Sequence, residues 1–183
     1  TPKKLDWLFG VLDAQRTRGF CIDVETTFPT GKKDLGDRVR EKICGAAICW
    51  KPRHAAYIPL YRNKQGDTHF KPRMFDAVVS TLREFLEDQR APKWNQNIKF
   101  DADVLAWCFG IKLRGIVGDP MLAHGLLDEN RETCRHSLAA MSQYYLPAEL
   151  HKLSTEHDRM LAHYDPVLKR HSEVPIEIES VYS

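Results

Sequence analysis

The order of the apolar patterns constrains this chain more than any single motif. Three short runs come first: "GFCIDVE" at 19–25, "ICGAAICW" at 43–50 and "AAYIPLY" at 55–61. They read as strands, and the last two, joined by "KPRH", as a hairpin. Ahead of them, Leu5, Leu8, Phe9 and Leu12 have helical spacing. From residue 71 the period changes. "KPRMFDAVVSTLREFLEDQ" places Phe75, Val78, Val79, Leu82, Phe85 and Leu86 along one helix face, with Pro72 near its start. A short strand, "PKWNQ", and a helix, "IKFDADVLAWCFG", closed by Gly110, follow. "IVGDPMLAHGLL" leads into a further helix, and the rest reads as mostly helical. Strands first, then helices alternating with short strands, predict one α/β domain with a mixed central β-sheet flanked by helices.

A chain of 183 residues is long enough for one domain with its own core. No run of about 18 apolar residues is present to span a membrane. The amphipathic, charge-interrupted N-terminal stretch is not a signal peptide. Cys21, Cys44, Cys49, Cys108 and Cys134 form no CxxC pair and mostly sit in apolar runs. They are expected to be reduced core thiols in a cytosol-like compartment, and the absent ligand spacing argues against zinc. A net charge of +2 leaves nucleic-acid binding open, because the placement of charge decides it. The basic residues lie in loops: Lys32, Lys33, Arg38, Arg40, Lys42, Lys51, Arg53, Arg62 and Lys64. Most read as a solvated rim, with some able to follow phosphates.

The first strand ends in an unusual way. Asp23 and Glu25 are two residues apart, so on a strand they share a face. Like charges that close repel, and burial adds to the cost. A strand end where both acids are solvated resolves this; so does a divalent cation between them, since Mg²⁺ takes carboxylate oxygens and substrate phosphates. A third acid, Asp101, falls in the first turns of the helix after the "PKWNQ" strand. It shares the apolar side with Ile98, Val104 and Leu105, whereas Asp103 points to water. An acid on an apolar face is usually paired or metal-bound.

"DVET", followed by "NQNIKFD", resembles the first two motifs of the DEDD 3′–5′ exonucleases. The longer stretch "NQNIKFDADVLAWCFGIKLRGIVGDPMLAHGLL" is similar to the proofreading domain of the bacterial, polymerase I-like family A DNA polymerases, and "AAYIPL" and "FLEDQ" sit where that domain has them. The resemblance covers most of residues 3 to 146. It implies a ribonuclease H-like fold, two divalent metal ions (Mg²⁺ or Mn²⁺), and hydrolysis of DNA from a single-stranded 3′ end. A covalently following polymerase domain and a bacterial or host cytoplasm are implied with it.

Carried over residue by residue, the resemblance makes Asp23, Glu25 and Asp101 the metal carboxylates. Thr26, Phe28, Gln96 and Asn97 become substrate contacts. Asp119 reads as a structural acid at a helix N-terminus, with a role behind the metal ligands left open. "Thr27, Phe28, Pro29" departs from the family's Gly-Leu, and Phe28 is either the wedge on the terminal base or a loop aromatic packed on the core. The third motif is expected as Tyr-x-x-x-Asp. Tyr182 has the family's approach sequence, "EVPIEIESVY", and its acid would fall beyond Ser183. Residues 1–183 are therefore expected to form one exonuclease domain, truncated at its C-terminal end, with Tyr182 among the catalytic residues. An RNA-trimming relative of the ribonuclease D kind and a catalytically inactive exonuclease fold are the rival readings.

Overall fold

A computed structural model describes residues 2–26, 42–62, 66–128 and 136–148, with the backbone of 164–165 and 170–171. Residues 1–119 and 120–183 make two compact units.

In the first unit, helix α1 (Pro2–Ala14) leads into strand β1 (Phe20–Thr26). Strands β2 (Ile43–Lys51) and β3 (His54–Pro59) form the expected hairpin, with Arg53 in the left-handed region at its turn. Helix α2 (Pro72–Glu87), strand β4 (Lys93–Trp94), helix α3 (Ile98–Phe109) and strand β5 (Ile116–Gly118) follow. The strands make one five-stranded sheet in the order β3-β2-β1-β4-β5. β1 runs antiparallel to β2 and parallel to β4, so the sheet is mixed as expected.

Alternation along β1 decides which face is core. Phe20, Ile22 and Val24 are buried, while Cys21, Asp23 and Glu25 are exposed. The buried set packs in one cluster with Ala46, Ile48 and Ile58 from β2 and β3, Leu8 and Leu12 from α1, Val78, Leu82, Phe85 and Leu86 from α2, and Val104 and Leu105 from α3. Each fully buried large aliphatic side chain contributes roughly 1.5–3 kcal/mol. Arg16 ties the end of α1 to α2 through Glu84 at 2.9 Å and Asp88 at 3.2 Å.

Two expectations need correction here. Strand β5 is too short for a periodic signal and was read only as a lead into a helix. None of the four described cysteines is fully buried: Cys21 is exposed and Cys44, Cys49 and Cys108 are half-buried, Cys108 packing against the core from its edge, and Cys134 lies outside the described residues. Lys93, inside β4, is 0% exposed. Its Nζ donates to the carbonyls of Asp88 and Ala91, each at 2.8 Å, and burial pulls its pKa down to about 8.

The second unit contains helix α4 (Pro120–Leu127), helix α5 (Leu138–Tyr145), and a short antiparallel pair, β6 (Tyr164–Asp165) with β7 (Arg170–His171). These four residues are extended, within a stretch the sequence reading takes as mostly helical. Ser137 caps α5 by accepting from the Ala140 N–H. Buried His124 hydrogen-bonds His136 through their Nδ1 atoms at 2.8 Å, one ring donating and the other accepting.

Candidate active site

The site begins where strand β4 stops. Phe20 and Cys21 of β1 pair with β4, and beyond them the edge of β1 has no strand partner on that side among the described residues. The Val24 N–H on that edge donates instead to Asp101 Oδ1 at 2.8 Å. Asp101 sits in the first turn of α3, on the face it shares with Ile98, Val104 and Leu105, and is 2% exposed. Asp103 is exposed, as its helical position requires.

Asn95, the first residue past β4, links this acid to the open face of the sheet. Its Nδ2 donates to Asp101 Oδ2 at 2.8 Å and to Asp23 Oδ1 at 3.3 Å. Two carboxylates from distant parts of the chain therefore converge on one amino group. Burial pushes the Asp101 carboxyl up to about 6, the Val24 hydrogen bond opposes the rise, and the charge of Asp23 adds to it. Both carboxylates offer hard oxygens around one point, which is the donor chemistry of a Mg²⁺ or Mn²⁺ site.

Glu25 shares the exposed face of β1 with Asp23, yet it does not complete a cluster. Among the described residues no group of three or more His, Cys, Asp or Glu side chains is placed to hold a metal ion. Glu25 pairs across to Gly45, next to a register shift between Glu25 and Thr26. The phenol of Tyr57 lies over Gly45, in the space a Cβ would fill. Burial pushes Tyr57 up to about 12, with Cys44 and Glu25 adding to the rise. Asp23 and Asp101 share Asn95, and Glu25 lies one pleat along the same exposed strand face as Asp23.

The helix carrying Asp101 is held at both ends by other elements. Asp119 accepts the N–H of Asn97 through Oδ1 and the N–H of Ile98 through Oδ2, each at 3.0 Å. It is a helix N-terminal acid, as expected, but the helix it caps is α3 and the bonds come from the far side of β5. Asn97 adopts φ 55° and makes no side-chain cap of its own. At the other end Arg83 donates to the carbonyls of Phe109 at 2.6 Å and Gly110 at 2.8 Å. Gly110, at φ 62°, completes the stop as the sequence indicates.

Of the expected substrate residues, Thr26 and Gln96 are half-buried and Asn97 is exposed, all near the strand ends that carry the acids. Phe28 and Tyr182 lie outside the described residues. Lys51, Arg53 and Arg62 are exposed, in keeping with a solvated rim. Sequence reasoning missed Asn95. Its signal was a polar side chain on the first residue after a short strand, six residues ahead of the buried acid.

An acid on the central strand β1 thus faces an acid at the start of α3, the helix after β4, over a mixed α/β sheet. Residues 30–173 match the 3′–5′ exonuclease family found in A-type DNA polymerases, and the chain belongs to that family. The matched segment contains Asp101 and Asp119 and begins after Asp23 and Glu25. The chain is 33% identical over 111 residues to DNA polymerase I of Pseudomonas aeruginosa, covering 60% of this chain and 12% of that protein. It is 35% identical over 114 residues to DNA polymerase I of Synechocystis, covering 61% of this chain and 11% of that protein. The chain thus spans only a small part of these relatives. Among solved structures, Brucella melitensis NrnC bound to pGG superposes with a TM-score of 0.53 at 22% identity, over 74% of this chain and 55% of that one. A structure described as the apo form of the nuclease gives 0.53 at 19%, over 93% and 68%. At these identities the likeness is one of fold, and the fold is ribonuclease H-like.

Proposed function

We propose that this chain is a metal-dependent 3′–5′ exonuclease domain that removes nucleotides from the 3′ end of DNA. The observation that carries the reading is the pairing of Asp23 with buried Asp101 around a single amino group. Two acids of one charge are placed together at the cost of a raised carboxyl pKa, an arrangement that a bound cation turns to advantage. A neighbour of the same fold is described with bound Mg²⁺.

Asp23, Glu25 and Asp101 would hold two divalent ions, Mg²⁺ or Mn²⁺, which when bound supply an activated water and charge stabilisation at the leaving oxygen. The chain's own residues do the rest. Asp101 is anchored by the Val24 N–H on Oδ1, which holds the carboxylate in place. Gln96 and Asn97, at the turn into α3, and Thr26, at the end of β1, contact the strand. Phe28 stacks on the terminal base, and Tyr182 orients the attacking water. Residues 1–183 act as one domain, with a covalently linked polymerase domain as partner and the cytoplasm as the place of work.

The reading is tested on a 5′-labelled oligonucleotide in Mn²⁺, offered single-stranded, as a blunt duplex and as RNA. The expected result is stepwise shortening of the single-stranded DNA from its 3′ end, with Asp23→Ala and Asp101→Ala slower by about 10²–10³. Binding in Ca²⁺ should favour the single strand and weaken as salt rises. Equal rates for wild type and both variants would overturn the proposal. Faster shortening of the RNA would move it to the RNA-trimming reading.

A further inference from the structure

We infer that Asn95 occupies the cation's place between Asp23 and Asp101, and that its side chain competes with the incoming metal. The inference rests on the metal-dependent reading above and assigns a role to a residue outside the acidic motifs.

The geometry is specific. Asn95 Nδ2 carries two hydrogens, and the two carboxylates take one each, at 2.8 and 3.3 Å. The reverse amide orientation would set a carbonyl oxygen against both acids, so this network fixes the donor end toward them. The backbone is tied independently: the Asn95 N–H donates to the Gly118 carbonyl at 3.3 Å. The side chain can therefore turn without loss of the strand end. While no metal is bound, the amide's partial positive charge offsets the repulsion that burial intensifies at Asp101. A cation that takes Asp23 Oδ1 and Asp101 Oδ2 as ligands must displace that amino group. Asn95 is thus a positioning residue: it holds the two acids together at the expense of metal affinity.

A merely structural asparagine and a competing one predict opposite changes. Mn²⁺ binding is measured by calorimetry and by the paramagnetic signal of the free ion, without DNA, for wild type, Asn95→Ala, Asn95→Gly and Asp23→Ala. Melting temperatures are taken with and without Mn²⁺. The expected result is that Asn95→Ala binds Mn²⁺ about three- to tenfold more tightly than wild type. It should also melt lower than wild type without metal and recover most of the difference with it. Asn95→Gly should behave alike, which guards against an effect of the alanine side chain. Weaker or unchanged binding in both Asn95 variants, or a loss of melting temperature that metal does not repair, overturns the inference. Wild type and Asp23→Ala binding Mn²⁺ equally would instead overturn the metal site on which it rests.

Discussion

Asp101 Oδ1 accepts the Val24 N–H at 2.8 Å, so a side chain from a helix completes the hydrogen bonding of a strand 77 residues earlier in the chain. The acid is simultaneously a structural bond and a charge held at high cost. Its carboxyl titrates near 6 in the folded protein against 3.8 for the ordinary group. A folded pKa raised in this direction means that the unfolded chain loses the proton first as pH rises. Stability is therefore present below about pH 4 and is lost on passing through about pH 6.

Asp101→Asn is expected to keep the Val24 bond and remove that loss. Without added metal, the variant should melt about 3–6 °C higher than wild type at pH 7 and lose its advantage below pH 4. Thermal melts from pH 3.5 to 7.5 in chelator check this. A constant difference between the two proteins across the range would show that the carboxyl does not titrate as described.

Asp119→Ala removes two acceptors from the start of α3 at a site only 7% exposed. The expected cost is about 2–4 kcal/mol by urea unfolding, from two lost caps and the desolvated N–H groups left behind. Asp119→Asn should recover part of it, because one acceptor oxygen remains. A loss under about 0.5 kcal/mol for the alanine variant would mean that water or Asn97 caps the helix equally well.

Gly45→Ala drives a methyl group into the Tyr57 phenol and to 2.8 Å from the Ile58 carbonyl. A destabilisation of about 1–3 kcal/mol is expected. In the Tyr57→Ala background the same change should cost clearly less, since the ring is gone and only the carbonyl contact remains. Additive costs in a double-mutant cycle would show that the two side chains do not compete for this space.

Local periodicity made much of this legible. The burial of Asp101 follows from its spacing with Ile98, Val104 and Leu105, and the exposure of Asp103 from the same helix geometry. The hairpin at Pro52 and Arg53 and the stop at Gly110 are turn chemistry, which the chain carries within a few residues. What stayed hidden depends on partners far away. The burial of Lys93 rests on the carbonyls of Asp88 and Ala91, which accept from its ammonium. Asp119 reads as the cap of its own helix, while its bonds reach back to residues 97 and 98. The pairing of Glu25 with Gly45 beneath the Tyr57 ring depends on the register of β1 on β2 and β2 on β3, and no strand displays its register alone.

Helix α3 owes its placement to Asp119 at one end and Arg83 at the other. This divides the chain into tolerant and intolerant positions along unfamiliar lines. The solvent side of α3, with Asp103, Ala106 and Trp107, can drift in sequence without moving the acid, because the helix is located from outside itself. Asp119 and Arg83 bond the two ends of α3, so substitutions there would shift Asp101 with the helix as a rigid body. In a library of single substitutions screened for nuclease activity, the intolerant positions would fall into separated pairs of letters, with the helix they serve nearly free to vary on its outer face.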